Sequence, residues 1–232
     1  MRVFRGRAAT IEDDRAASGR LLETTAETGE PAVRVWTPHR QVAFGRRDSR
    51  LEGYDRARAA ADEAGFPPVE RSVGGRAVAY DGETTLAFAR TEPVADFRRG
   101  TDGRYDRLTA DVAAALRDLG VEPEPGEPAD SFCPGAHSLS ASVDGAPAKL
   151  VGIAQRVTTE AALVSGILVA DNRSALAGVL EPVYDALDVP FDPTTVGSVA
   201  AAGGSAGPVR VCETLEAALV GDRSPTVERI GG

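Results

Sequence analysis

Lysine is almost absent from this chain of 232 residues: of its 26 basic residues one, Lys149, is lysine and the remaining 25 are arginine. In so arginine-rich a chain, a lysine that persists marks a position where a compact ammonium works and a planar, five-donor guanidinium does not. An ordinary surface lysine is the alternative reading. Cysteine and histidine are equally scarce, with Cys133, Cys212, His39 and His137 as the whole set. Two cysteines exclude a disulfide framework, and these four residues show no metal-ligand spacing, so no structural metal is expected. Long apolar runs are missing as well. The longest largely apolar stretch, 161–170, is about half the ~20 residues a membrane span needs. The first residues lack the apolar core of a signal peptide. Excess positive charge is lacking too: the net charge of -9 disfavours nucleic acid as a partner. These absences lead to the expectation of a soluble cytoplasmic protein that binds neither membranes nor nucleic acid.

No low-complexity linker or internal repeat divides the chain, and its length suits one well-buried core. A single domain over 1–232 is expected, with residues from about 203 onward as a C-terminal extension. Thr10 followed by Ile11, Glu12 and Asp13 reads as a helix start, and Gly29-Glu30-Pro31 as its end. Helical periodicity recurs over 50–64, 104–119, 173–187 and 211–220. Strand patterns cover 32–36, 41–45, 69–72, 77–80, 84–89, 138–143, 148–157 and 161–169, with Asp81-Gly82 and Asp144-Gly145 as turns. The Pro/Glu-rich stretch 121–129 reads as a surface loop and 200–207 as a flexible tract. Strands and hairpins with helices between them predict an α+β fold, mainly antiparallel mixed sheets flanked by helices.

Three segments carry residues suited to chemistry. Arg71-Ser72-Val73-Gly74-Gly75-Arg76-Ala77 brings a glycine pair to the start of a strand, where a ligand can lie directly on the backbone; a tight turn is the bland alternative. Cys133 stands beside Pro134 and Gly135 on a constrained loop. A thiolate is a strong nucleophile once a nearby cation or base activates it, and His137 is a candidate activator, although a spacing of four in a loop does not fix a contact; a buried inert cysteine is the bland alternative. Cys212, in an amphipathic stretch, reads as core. Lys149 opens Lys149-Leu150-Val151-Gly152-Ile153-Ala154-Gln155-Arg156, where an ammonium in an apolar wall can polarise a carbonyl and Gly152 leaves room for a chain. Together these elements suit the binding of a thin acyl chain and attack on its carbonyl.

The same segments resemble the biotin/lipoate protein ligase and lipoyl/octanoyl transferase superfamily. Glu70-Arg71-Ser72-Val73-Gly74-Gly75-Arg76-Ala77-Val78 is similar to its Arg-Arg-x-x-Gly-Gly-x-Ala-Val segment, with Glu70 in place of the first arginine. Lys149 to Arg156 is similar to its Lys-hydrophobic-x-Gly-x-Ala-Gln-Arg strand. Phe132-Cys133-Pro134-Gly135 resembles the nucleophile segment of the cysteine-dependent octanoyl-[H protein]:protein N-octanoyltransferases. Tyr80-Asp81 departs from the His-Asp of many members.

The resemblance implies transfer of an octanoyl or lipoyl group from the glycine-cleavage H protein to a lysine of a lipoyl domain, such as that of 2-oxoacid dehydrogenase E2, through a Cys133 thioester and without a cofactor. It implies Cys133 and Lys149 as catalytic residues. Arg71, Ser72, Gly74, Gly75, Arg76, Ala77, Gly135, His137, Gly152 and Ala154 are then implied to bind substrate. Two alternatives stand beside it: an ATP- and Mg-dependent lipoate ligase with Cys133 incidental, and a non-catalytic member that binds a lipoyl domain.

Overall fold

The computed structural model describes residues 1–71 and 75–231. Its elements are β1 (Arg2–Arg5), α1 (Ile11–Thr28), β2 (Ala32–Trp36), β3 (Gln41–Phe44), α2 (Tyr54–Glu63), β4 (Pro68–Glu70), β5 (Val78–Tyr80) and β6 (Thr85–Pro93). The chain continues through α3 (Thr101–Asp118), β7 (Glu124–Pro125), β8 (Ser138–Val143), β9 (Ala146–Val157), β10 (Ala161–Val169), α4 (Arg173–Ala186), α5 (Pro208–Val220) and β11 (Thr226–Arg229).

Local chemistry accounts for the helix ends. The Thr10 hydroxyl accepts the Asp13 N–H at 3.1 Å, and Gly29, at φ 70°, closes α1 by donating its N–H to the Thr25 carbonyl. Pro208 begins α5 three residues before the periodic stretch read from sequence, at a position where its missing N–H costs nothing.

Among the described residues, eight strands form one sheet in the order β11-β1-β2-β6-β10-β9-β8-β7, and a smaller sheet runs β4-β3-β5. Pairing from β2 to β7 is antiparallel, while β1 lies parallel to both β2 and β11. The architecture is α+β, as the strand pattern predicts.

Strand alternation sorts the layers. On β2, Val33 and Val35 enter a core with Leu108, Val112 and Leu116 of α3 and Val211, Leu215 and Leu219 of α5. Arg34, between them, points to the opposite face, where α1 crosses; it is wholly buried there, ion-paired with Asp14 and stacked over Trp36. A second core joins the small sheet to α2 and α4 through Val42, Phe44, Ala57, Ala61, Leu176 and Val183.

Three features differ from the sequence expectation. Residues 2–5 form a strand, too short for periodicity to reveal. Residues 226–229 pair beside it, so the C-terminal segment supplies both a helix to the main core and an edge strand to the sheet. The tract 200–207 is tied by bonded turns, with Gly204 donating to the Val199 carbonyl and Ser205 to that of Leu119.

The turn at Asp81 also makes a pH prediction. Burial would raise this carboxyl. Hydrogen bonds from the Thr84 hydroxyl and from the amides of Glu83, Thr84 and Thr85 outweigh that and lower it to about 2. Its folded value therefore lies below the unfolded value of 3.8, so its contribution is complete above about pH 4 and is lost as pH falls toward 2. By linkage this amounts to about 2 kcal/mol. Urea unfolding of Asp81→Asn at pH 7 is expected to show a loss of that order, shrinking as the pH approaches 2.

Candidate active site

Small residues carpet the face of the large sheet that α1 crosses: Ala87 and Ala89 on β6, Gly152 and Ala154 on β9, Ser165 on β10. They floor a cleft of about 940 Å³ walled by α1, the small sheet and the loop preceding β8. Gly166 allows this layout, since a Cβ there would collide with the Phe88 ring and the Gly152 carbonyl. The small residues of this floor leave room for a hydrocarbon chain to lie against the sheet.

Cys133 lies in the loop between β7 and β8, lining this cleft with a partly exposed side chain. Its φ of 43° is left-handed, a conformation few non-glycine residues hold without external restraint. Restraint comes from two sides of its backbone. The Tyr184 hydroxyl, from buried α4, accepts the Cys133 N–H at 2.6 Å and donates to the Ala77 carbonyl at 2.9 Å. Burial pushes this phenol well above its ordinary value, so it stays protonated. On the other side, the Cys133 carbonyl accepts from Lys149 Nζ at 2.8 Å. Tyr184→Phe strands the amide of Cys133 and the carbonyl of Ala77, and is expected to cost about 1–3 kcal/mol in chemical denaturation.

Among the described residues the sulfur has two donors. Arg71 Nη2 approaches Sγ at 3.1 Å and the backbone N–H of Arg76 at 3.3 Å. Arg71 is held by a bond to the Arg76 carbonyl at 2.5 Å, and its buried Nε has no partner among the described residues. Gly75 makes the approach possible: at φ 98° a Cβ would stand 2.6 Å from Sγ and 2.5 Å from Arg71 Nη2. Gly45 serves the same strand entry, because a Cβ there would run into the Gly75 carbonyl. The Arg76 side chain turns away to the buried Asp48 at 3.2 Å.

Lys149 is wholly buried, and its three N–H groups reach Glu127 Oε2 at 2.6 Å, the Phe132 carbonyl at 2.9 Å and the Cys133 carbonyl at 2.8 Å. A pyramidal ammonium satisfies three acceptors converging this way and a planar guanidinium does not, which is the physical reason for lysine here. Glu127 also accepts the Gly135 N–H at 2.7 Å and the Ser138 hydroxyl at 2.8 Å. Burial would raise its carboxyl, but the bonds from Lys149, Ser138 and Gly135 and the ammonium charge bring it below its usual range.

The expected site residues therefore divide. Cys133, Arg71, Gly75, Gly135, His137, Gly152 and Ala154 line one cleft. Arg76 contributes its amide, and Ala77 is buried, offering a carbonyl to Tyr184. Ser72 and Gly74 lie outside the described residues. One expectation differs from the geometry, and one contact that the sequence left open is not made among the described residues. The Lys149 ammonium does not face the cleft, because its donors are engaged behind the Cys133 loop. His137 makes no hydrogen bond to Cys133 among the described residues; its ring stacks on Tyr105 with centroids 3.6 Å apart.

Residues 12–196 match the family model of the lipoyl protein ligase A/B catalytic domain. The chain belongs to that family. An octanoyl-[GcvH]:protein N-octanoyltransferase of Exiguobacterium sp. is 31% identical over 175 residues, covering 75% of this chain and 60% of the relative. A lipoyl-[GcvH]:protein N-lipoyltransferase of Listeria monocytogenes is 30% identical over 131 residues, 56% of this chain and 45% of that one. The chain thus spans about half the length of the curated relatives it matches. A crystal structure of lipoate-protein ligase A bound with ATP shares the fold, with a TM-score of 0.75 over 98% of this chain and 88% of that one at 19% identity.

Around this cleft, sequence reasoning missed Glu127 and Tyr184. Tyr184 left a signal. It continues the buried stripe Leu176, Val179, Leu180 and Val183 of α4, and a hydroxyl on an apolar stripe must find a partner. Glu127 left none, being one acid among several in a Pro/Glu-rich loop.

Proposed function

We propose that this protein is an acyltransferase that moves an octanoyl or lipoyl group from one lipoyl carrier domain to another through a thioester on Cys133. The observation that carries the reading is a cysteine lining a cleft floored by small residues, its sulfur facing a guanidinium and a backbone amide. The names of the relatives support the H protein as donor, and a lipoyl domain of the 2-oxoacid dehydrogenase E2 kind is the acceptor in this reading.

In the first half-reaction the Cys133 thiolate attacks the carbonyl of the acyl-lysine amide. The C–S bond forms, negative charge moves to oxygen, and the C–N bond then breaks as the oxyanion collapses and the donor lysine leaves as an amine, taking one proton from solvent. In the second, the acceptor lysine amine attacks the thioester, the C–S bond breaks, the nitrogen gives its proton to solvent, and the thiolate returns. The donors at Sγ, Arg71 Nη2 and the Arg76 amide, are those a developing oxyanion beside the sulfur meets first. One amide is exchanged for another, so the transfer needs no nucleotide and no cofactor.

Intact mass spectrometry after mixing the protein with octanoyl-loaded H protein, without ATP, tests this. An octanoyl-sized adduct that hydroxylamine removes is expected. No adduct, with acceptor modification only once free lipoate and ATP are supplied, would make the protein a ligase and Cys133 part of its loop structure.

A further inference from the structure

We propose that Glu127 is a positioning residue for acyl transfer: through the buried Lys149 ammonium it holds the Cys133 loop in its reactive shape. The inference rests on the reading of Cys133 as nucleophile. Two consecutive carbonyls, those of Phe132 and Cys133, turn toward one Nζ. Parallel carbonyl dipoles repel, and the left-handed φ of Cys133 adds strain, so a cation must sit between them for the loop to keep this shape.

That cation has no contact with solvent, and a buried ammonium persists only beside a compensating charge. Glu127 Oε2 is that charge, in the ion pair of 2.6 Å. The same carboxylate accepts the Gly135 amide and the Ser138 hydroxyl, so one side chain ties the loop at its far end as well as at Cys133.

The strand beneath is built for this. A bulge between β8 and β9 leaves one extra residue, Leu150, on β9: Leu139 pairs with Val151 but Ser140 pairs with Lys149. A bulge changes which face a side chain takes, and here it adjoins the residue that anchors the loop. The Lys149 backbone is fixed from its other edge by the bridge to Val196 and by the Gly197 N–H donated to its carbonyl at 2.9 Å. The anchor is thus rigid in its main chain, and the nucleophile loop hangs from it through the ion pair.

Glu127→Gln is near-isosteric, and the Glu127 side chain is 18% exposed, open enough for a small carboxylate to enter once the side chain is removed. The experiment follows the Cys133 acylation rate by intact mass under single turnover with octanoyl-loaded H protein. The wild type serves as the control for the transferase reading: absence of any wild-type adduct sinks that reading independently of Glu127. With the adduct present, Glu127→Gln is expected to acylate on the order of 10²-fold more slowly, the scale of a nucleophile displaced by about an ångström. Saturation by the carrier should stay within about threefold, because the loss is one of geometry. Formate added to Glu127→Ala is expected to restore part of the rate. Unchanged acylation in Glu127→Gln, an effect confined to carrier affinity, or no formate response in folded Glu127→Ala overturns the proposal. Faster acylation in Glu127→Gln overturns it too, and would mean that the carboxylate blocks the Gly135 and Lys149 donors.

Discussion

Cys133→Ala is expected to form no acyl-enzyme and to lose acyl transfer by on the order of 10³-fold or more, the scale on which removing a covalent nucleophile acts. On the proposed mechanism no other group stands in for it. The second thiol, Cys212, is raised to about 11 by burial and by Glu216 and Glu213, and it packs against the main core with its sulfur 3.5 Å from the Val35 carbonyl. Cys212→Ala therefore keeps full acylation and is the internal control. Cys133→Ser separates chemistry from shape. It retains the side-chain contacts with Arg71 and the Arg76 amide but offers a far weaker nucleophile, so it should fold and bind the carrier yet accumulate no thioester. A hydroxylamine-sensitive adduct on Cys133→Ala would place the acyl group elsewhere and end the mechanism.

Arg71→Met is the second large effect. The guanidinium touches the sulfur at 3.1 Å from a half-buried position, where a charge–charge contact is worth more than in open solvent. Methionine fills similar volume without charge or donors. It removes the only side-chain cation bonded to Sγ among the described residues, since the Lys149 donors face two carbonyls and a carboxylate and His137 is stacked on Tyr105. Acylation is expected to slow by about 10²–10³-fold, the usual consequence of deleting a preorganised donor at developing charge. Arg71→Lys should recover only part of it. An ammonium supplies the charge, but the lysine side chain ends one bond short of Nη2, the atom that makes both the Sγ and the Arg76 carbonyl bonds. A normal single-turnover rate in Arg71→Met would assign thiolate activation to another group.

The secondary structure was largely legible, and for local reasons. A capping threonine, a closing glycine and an apolar stripe define α1 within its own residues, and the turn at Asp144-Gly145 fixes the β8–β9 hairpin by backbone preference, whereas Asp81-Gly82 joins no hairpin and instead carries the chain from β5 of the small sheet to β6 of the large one. Strands β1 and β11 escaped because four residues carry too little pattern. The edge strand β11 pairs only with β1 from the other end of the chain, while β1 is also held by β2.

The sequence by itself determined the chemistry available: one cysteine beside Pro-Gly, a glycine-rich strand entry, and a single lysine where arginine was the habit of the chain. These are choices of residue type, and each answers a local demand of backbone freedom, nucleophilicity or ammonium shape. Tertiary structure alone decided which groups meet. Arg71 reaches Cys133 across 62 residues and Tyr184 across 51, while Lys149 finds Glu127 in a loop that reads as surface. His137, four residues from the cysteine, is turned to Tyr105 instead. Hydrogen bonds and ion pairs act over about 3 Å in space without regard to separation along the chain, so they leave no periodic mark in sequence and come into being only when the sheet, its bulge and α4 are assembled.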